Sequence, residues 1–291
     1  MAASVSPAVA AAALSSDFSV GDVADPLTLG RLRRQVCSAG LAVFDGAPDA
    51  GAMLAVAGQV MSVTAHPDSD KRGITTITDL GPAAGQPNAG GFSRRELMSH
   101  TDRSGVPDPP ALMMLTCAVQ APAGGATRLT DGLAVHDDLR ATCPESLHAL
   151  SRARTVLFGG AAGYLGAVFT PAAGRSPARV AMRLRLDDLG FFSPNVAEWI
   201  PPLTASIERH TCTMTLHPGQ GLLLDNHRWL HARDTFEGPR RLYRLLGNPL
   251  PGLGMYPGIP VPADQPQTPK TGVPGHSPAR RVAAGAGRRG I

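Results

Sequence analysis

His100 and Asp102 stand two positions apart in "LMSHTDRSG", residues 97–105. On an extended backbone residues i and i+2 share a face, so this spacing lets an imidazole and a carboxylate converge on one point. The pair alone also suits a zinc ion or a chance surface contact. A second stretch, "LLLDNHRWLHARDTFEGPRRLYRLLGN" (222–248), supplies a third donor. There an apolar run enters Asp225 and Asn226 and then reaches His231. Two neutral imidazoles and one carboxylate on one face of an octahedral ion are the donor set of non-haem Fe(II), with positions left open for a chelating co-substrate and O2. His227 competes with His231. On an extended chain the two share a face but lie roughly 13 Å apart, so one ion cannot take both. Spacing does not choose between them.

An iron centre of this kind needs reducing equivalents, which a 2-oxo acid supplies by decarboxylation. Its far carboxylate calls for a cation in a dry pocket, and arginine meets a carboxylate bidentately where lysine does not. Arg240 follows His231 at the start of a strand-like segment and fits that role. Arg244 shares a strand face with Arg240, and either reaches a carboxylate, sulfonate or phosphate on the substrate or pairs within the barrel wall. Arg241 alternates away and reads as structural. Asn226 shapes the turn before the histidine. His66, His136, His148, His210, His217 and His276 have no placed partner and read as surface or capped residues. Cys117 is a small core residue. The glycine-rich loop 81–92 lies just upstream of the HTD segment, and loops of that sort line pockets. Asn88 within it is read as a substrate contact, and residues 140–210 are the other source of specificity.

The elements that must hold these residues are mostly short strands. Residues 27–46 read as a helix and a strand, and 50–65 as a second helix with Ala and Met on one face. Strands are expected at 72–80, 111–120 and 178–186, and as two strands joined by a Pro-Gly turn over 211–226, with 240–248 as the last strand. Asp131 is the expected N-cap of a helix, and Pro144 begins another. A further short helix is broken at Pro201 and Pro202. With no βαβ alternation and no repeat, the pattern predicts a mainly β fold with helical insertions, a double-sheet jelly roll.

The chain has 291 residues, 43% hydrophobic and 17% charged, enough for a substantial core. Its net charge of +4 is concentrated at residues 263–291, where Lys270 and four arginines face only Asp264. That tail is rich in Pro, Gly and Ala and is read as a disordered appendage, leaving residues 1–262 as the folded domain. The near-neutral body has no basic-plus-aromatic surface motif, which argues against a nucleic-acid binder. Four scattered cysteines without CxxC fit a reducing, cytoplasmic setting. No run approaches the ~18 apolar residues of a membrane span. The sequence does not set the oligomeric state, and a homo-oligomer is compatible with it.

Three blocks in order, "HTD" (100–102), "LTCAVQAPAGGATRLTDGLAVHDDL" (115–139) and "DNHRWLHARDTFEGPRRL" (225–242), resemble the TauD/TfdA-type Fe(II)/2-oxoglutarate dioxygenases over residues 27–250. Within them the chain is most similar to the γ-butyrobetaine and trimethyllysine hydroxylase branch. The resemblance implies His100, Asp102 and His231 as iron ligands. It implies Arg240 as the 2-oxoglutarate carboxylate partner, with Thr127 sharing that carboxylate. "LHARDTF" is what selects His231 over His227. The implied cofactors are Fe(II), 2-oxoglutarate and O2, and the implied fold is the double-stranded β-helix. Halogenating relatives lack the carboxylate that Asp102 provides, so hydroxylation is the expected outcome. With three Tyr and two Trp, the chain is poorly stocked for an aromatic cage around a quaternary ammonium. The expected substrate is therefore a small charged, amino-acid-like or carboxylate metabolite, and the expected products include succinate and CO2. Desaturation, cyclisation or oxidation of a nucleotide or sulfonate are the alternatives. A zinc hydrolase on the same ligands would leave Arg240 and Thr127 without a purpose.

Overall fold

The strand Leu112–Val119 is apolar on both faces because both are covered. Met113, Leu115 and Cys117 point into one buried cluster, while Leu112 and Met114 point into another. The strands Leu41–Asp45 and Gly221–Asp225 divide in the same way: Leu41, Val43, Leu222 and Leu224 face the first cluster, and Ala42, Phe44 and Leu223 the second. Each buried Leu or Met of this kind contributes about 2 kcal/mol of apolar burial. A period-2 backbone clad on both sides needs hydrophobic residues at every position.

The computed structural model describes residues 17–81, 90–172 and 178–261. The expected C-terminal tail and Asn88 lie outside the described residues.

Those strands belong to a seven-stranded sheet. Its order is Ser19–Asp22, Leu41–Asp45, Gly221–Asp225, Leu112–Val119, Arg241–Pro249 and Met61–Thr64, with Thr75–Thr78 also paired to Arg241–Pro249. Facing it across the inner cluster is a four-stranded sheet ordered Thr211–Met214, Thr127–Asp131, Trp229–Arg233 and Leu97–His100. Leu129, Met214 and Trp229 of this sheet complete the inner cluster. The result is the expected jelly roll. Helices Pro26–Ala39 and Ala50–Ala57 cover the outside of the larger sheet, through Leu32, Val36 and Met53. Helices Gly132–Thr142, Pro144–Leu150 and Ile200–Arg209 bury Val135, Leu139, Leu150, Leu203 and Ile207 in a third cluster that also takes Leu230.

Several expected elements need correction. The helix over 50–65 stops at Ala57, and Met61–Thr64 is a strand at the sheet edge. Gly58 caps the helix, and the Ala-rich run carried no mark of that stop. Pro201 and Pro202 do not break a helix. They lie in the first turn of Ile200–Arg209, where the missing N–H groups need no partner. The strands on either side of His217 and Pro218 are not a hairpin: Thr211–Met214 belongs to the smaller sheet and Gly221–Asp225 to the larger, so the Pro-Gly turn carries the chain between layers. Arg241–Pro249 is followed by one more strand, Ile259–Pro260, paired with Arg179–Met182. The expected caps hold: the Asp131 side chain accepts from Leu133 N–H, and Pro144 opens its helix.

Candidate active site

His100 ends the strand Leu97–His100 and lies in register with His231 on the neighbouring strand Trp229–Arg233. Their ring centroids are 4.2 Å apart, with planes inclined at 49°. Asp102 joins them two residues later: Oδ1 is 3.9 Å from His100 Nε2, and Oδ2 is 3.9 Å from His231 Nε2. One donor atom from each residue falls within a 4.8 Å cluster.

The convergence does not come from a continuous strand, since regular pairing stops at His100. Beyond it the backbone is held from elsewhere. Thr101 N–H donates to Leu184 O at 3.0 Å. Asp102 N–H donates to Asn226 Oδ1 at 2.7 Å, and Asn226 Nδ2 returns bonds to the carbonyls of Asp102, 3.0 Å, and Pro110, 2.8 Å. His100 Nδ1 lies 2.8 Å from Met98 O, which orients the ring and leaves Nε2 for the cluster.

Protonation states suit a metal. Burial disfavours charge on all three groups and is the largest single effect on Asp102, yet the Arg244 guanidinium, with Nη1 3.1 Å from Asp102 Oδ1, and the neighbouring His231, His100 and His66 together outweigh it and hold the carboxyl at about 2. Burial, with the neighbouring His100, lowers His231 to about 3. Burial likewise lowers His100, against the pull of Asp102. At neutral pH the cluster is thus one carboxylate and two neutral imidazoles. Asp102 Oδ2 and His231 Nδ1 are buried without a hydrogen-bond partner. An orphaned carboxylate oxygen beside two imidazole nitrogens is the environment that a divalent cation satisfies, and this N2O set suits Fe(II).

The cluster opens into a cleft with about 540 Å³ of empty space, lined among others by His100, His231, Thr127, Arg240, Leu242 and Arg244. Positions 240, 242 and 244 face it together, as the alternation predicts. Arg240 immediately precedes the strand Arg241–Pro249 and is only 8% exposed. Arg179, Arg183, Arg228 and Arg233 each have hydrogen-bonded oxygen partners. Arg240 has none among the described residues; its guanidinium lies 5.4 Å from the Phe236 ring centre. Burial, and then the nearby Arg233, lower it to about 10. Thr127, 5% exposed, sits in register with Arg233 on the adjacent strand and lines the same cleft. Arg241 is exposed.

His227 turns away from the cluster, with Nε2 3.0 Å from Pro109 O. His136 packs edge-on against Phe169, and His217 Nδ1 meets Gln120. The surface or capped setting expected for His66 needs correction. The residue is half-buried, and its imidazole feels both Arg244 and Asp102, so it stands near the cleft. Sequence reading also missed three supports. The Arg233 guanidinium gathers the carbonyls of Gly91, Ser93 and Arg95, which fixes the segment leading into the HTD strand. Arg228 forms a two-point pair with Asp131, at 2.8 and 2.6 Å, so the residue read as a helix cap also locks the turn before His231. Arg185 pairs with Asp187 at 2.6 and 2.8 Å, close enough to His100 to be felt there. "RLD" and "DNHRW" offered charges but no partners.

A sequence profile described as "Taurine catabolism dioxygenase TauD, TfdA family" matches residues 3–190 and 177–246. The chain belongs to the TauD/TfdA family, and its class is that of the Fe(II)/2-oxoglutarate-dependent dioxygenases. No curated protein matches the sequence. Among solved structures, it is similar to an asparagine oxygenase in complex with Fe(II), 3-hydroxyasparagine and succinate, at 17% identity and TM-score 0.60, covering 83% of each chain. It is also similar to the non-haem iron oxygenase OrfP in complex with Fe and α-ketoglutaric acid, at 15% identity and TM-score 0.56, covering 83% of this chain and 90% of the other. PvcB of Pseudomonas aeruginosa matches at 15% identity and TM-score 0.57, covering 75% and 79%. At these identities the likeness concerns the fold.

Proposed function

We propose that the protein is a Fe(II)/2-oxoglutarate-dependent hydroxylase of a small charged, amino-acid-like or carboxylate metabolite. His100, Asp102 and His231 hold the iron; Arg240 and Thr127 hold the far carboxylate of 2-oxoglutarate; Arg244 faces the substrate. One observation supports this above the others: Arg240 is a buried cation with no counter-charge among the described residues, in the same cleft as the His-Asp-His cluster. An unpaired buried guanidinium is costly, and a carboxylate ligand relieves that cost.

Iron bound with 2-oxoglutarate and O2 supplies the oxidising power to break an unactivated C–H bond, with succinate and CO2 released. The chain's own residues do the rest. Arg240 and Thr127 orient the co-substrate, Leu242, Met113 and Leu115 keep the cleft floor dry, and the Asn226 amide keeps Asp102 in place. With the carboxylate of Asp102 present, hydroxylation is favoured over halogenation.

The solved asparagine oxygenase and OrfP complexes contain hydroxylated amino acids, which supports an amino-acid-like substrate. The three sequence blocks align the chain with the γ-butyrobetaine and trimethyllysine hydroxylase branch. Yet no aromatic side chain lines the cleft among the described residues, so a quaternary ammonium lacks a cage there. All four cysteines are free thiols, which fits a reducing cytoplasm, and no described helix is long and apolar enough to cross a membrane.

Thermal unfolding of the metal-free protein with added 2-oxoglutarate tests the reading. Wild type is expected to gain stability with 2-oxoglutarate, and Arg240→Ala to gain none. Equal gains in both proteins would remove Arg240 from the co-substrate site.

A further inference from the structure

Arg233 ends the strand Trp229–Arg233 two residues after His231, and both side chains line the cleft. It lies in register with Leu97 on one neighbouring strand and Thr127 on the other, and those two line the cleft as well. The adjacent row of the same sheet sets His231 beside His100. The metal cluster and the row Leu97, Arg233, Thr127 are thus successive rungs of one wall.

Arg233 is only 5% exposed, and its hydrogen bonds go to carbonyls alone. Nη1 donates to Gly91 O at 3.2 Å, and Nη2 to Ser93 O at 2.6 Å and to Arg95 O. Its buried Nε has no partner. The guanidinium lies 4.9 Å from the Phe236 ring centre, and that of Arg240 lies 5.4 Å from the same centre. Two buried cations therefore share one ring, and neither forms an ion pair among the described residues. Asp79, whose charge reaches Arg233, is taken up by Arg94 at 2.6 Å.

Like charges in a dry pocket repel, and the repulsion opposes the geometry in which Arg233 holds its three carbonyls. A carboxylate received by Arg240 and Thr127 stands beside both cations and offsets it. The carbonyls belong to the turn Gly90–Phe92 and to the residues leading from it into the strand Leu97–His100. Whatever steadies Arg233 steadies the approach to His100.

Resting on the hydroxylase reading above, we infer that Arg233 is a positioning residue that couples the far carboxylate of the co-substrate to residues 90–96. Arg240 and Thr127 receive the carboxylate, Arg233 adds a second positive charge beside it, and the fork onto the carbonyls carries the effect toward the metal strand. The coupling is reciprocal, so weakening the fork weakens co-substrate binding by the same factor.

Hydrogen exchange over residues 90–97, read by mass spectrometry on full-length protein loaded anaerobically with Fe(II), tests this. Two saturating 2-oxo acids are compared. 2-Oxoglutarate carries the far carboxylate; 2-oxopentanoate has the same chain length and chelating group without it. In wild type, 2-oxoglutarate is expected to slow exchange about fivefold or more and 2-oxopentanoate to leave it unchanged. Arg233→Lys keeps the charge but cannot fork onto three carbonyls. It is expected to bind 2-oxoglutarate about tenfold more weakly and, once saturated, to show no slowing. A residue that only braced the fold would give a variant with faster exchange at 90–97, wild-type affinity for 2-oxoglutarate and the slowing intact; that outcome overturns the role. Equal slowing by both acids in wild type, or by neither, overturns the inference even where the variant does not fold. Equilibrium dialysis on the same preparation separates the two readings. Binding of 2-oxoglutarate without slowing overturns the coupling alone, whereas absence of binding to wild type overturns the hydroxylase reading itself.

Discussion

The side-chain amide of Asn226 bonds the backbone of Asp102 in both directions, accepting from its N–H at 2.7 Å and donating to its carbonyl at 3.0 Å across 124 positions of sequence. Both residues are buried, so removing the amide strands two backbone groups and the Pro110 carbonyl without water. Asn226→Ala is expected to cost about 2–4 kcal/mol of stability and to weaken metal binding about 10- to 100-fold. Asn226→Asp loses the donor and sets a second carboxylate beside Asp102, and should be no better. Chemical denaturation and metal titration check both effects. Wild-type metal affinity in Asn226→Ala would show that the HTD turn holds itself.

Arg240 separates stability from function. It is buried without a counter-charge among the described residues, so replacement by an apolar side chain of similar length relieves desolvation. Arg240→Met is expected to unfold at a higher temperature than wild type without ligand, yet to raise the KM for 2-oxoglutarate by about 100-fold, the cost of one lost charge-assisted pair. Thermal scans and steady-state kinetics read the two effects independently. A variant destabilised in both respects would place Arg240 in the scaffold instead.

Gly125 guards the same guanidinium. Its φ is +73°, and an added Cβ would stand 3.2 Å from Arg240 Nε and 3.3 Å from Cδ. Gly125→Ala should therefore strain the turn and displace Arg240, raising the KM for 2-oxoglutarate while the metal affinity stays near wild type. Isothermal titration with each ligand distinguishes this from general loss of fold. A loss confined to metal binding would contradict the placement.

Acid sensitivity follows from the buried imidazoles. His231 falls from its usual 6.5 to about 3 in the folded protein, and His100 is lowered as well. Below 6.5 the unfolded chain takes up protons that the folded chain refuses. Stability of the metal-free protein should thus be flat above 6.5 and decline as pH falls, by about 1.4 kcal/mol per pH unit for each such imidazole. Asp102 acts lower: its carboxyl is depressed from 3.8 to about 2, so its contribution persists above 3.8 and is lost as pH falls toward 2. Urea titrations at several pH values between about 8 and 5 check the first part. A flat profile there would mean that the imidazoles accept protons in the folded state.

The i, i+2 spacing marked His100 and Asp102 as a pair, and alternation along the strand after Arg240 survives folding, whereas His231 was separable from His227 only through the resemblance of "LHARDTF" to the family motif. The strand Leu112–Val119 was legible from an apolar run interrupted only by Thr116. Asn226 was read only as a turn residue, since its partner is set by tertiary register and not by neighbours in the chain. The same holds for Arg228 with Asp131 and for Arg233 with the carbonyls around Ser93. Helix ends were misread where composition was uniform, as at Gly58, or where proline has two meanings, as at Pro201 and Pro202. Arg244 stayed ambiguous because both a substrate contact and an internal pair place it on the same strand face; its bond to Asp102 supplies the internal pair.

The most direct measurement is succinate formation by anaerobically prepared protein given Fe(II), 2-oxoglutarate and then air, beside an Asp102→Ala control. The account predicts slow succinate release that requires iron, 2-oxoglutarate and O2 together and disappears in the variant. Absence of succinate from wild type, with no detectable binding of 2-oxoglutarate, would contradict it.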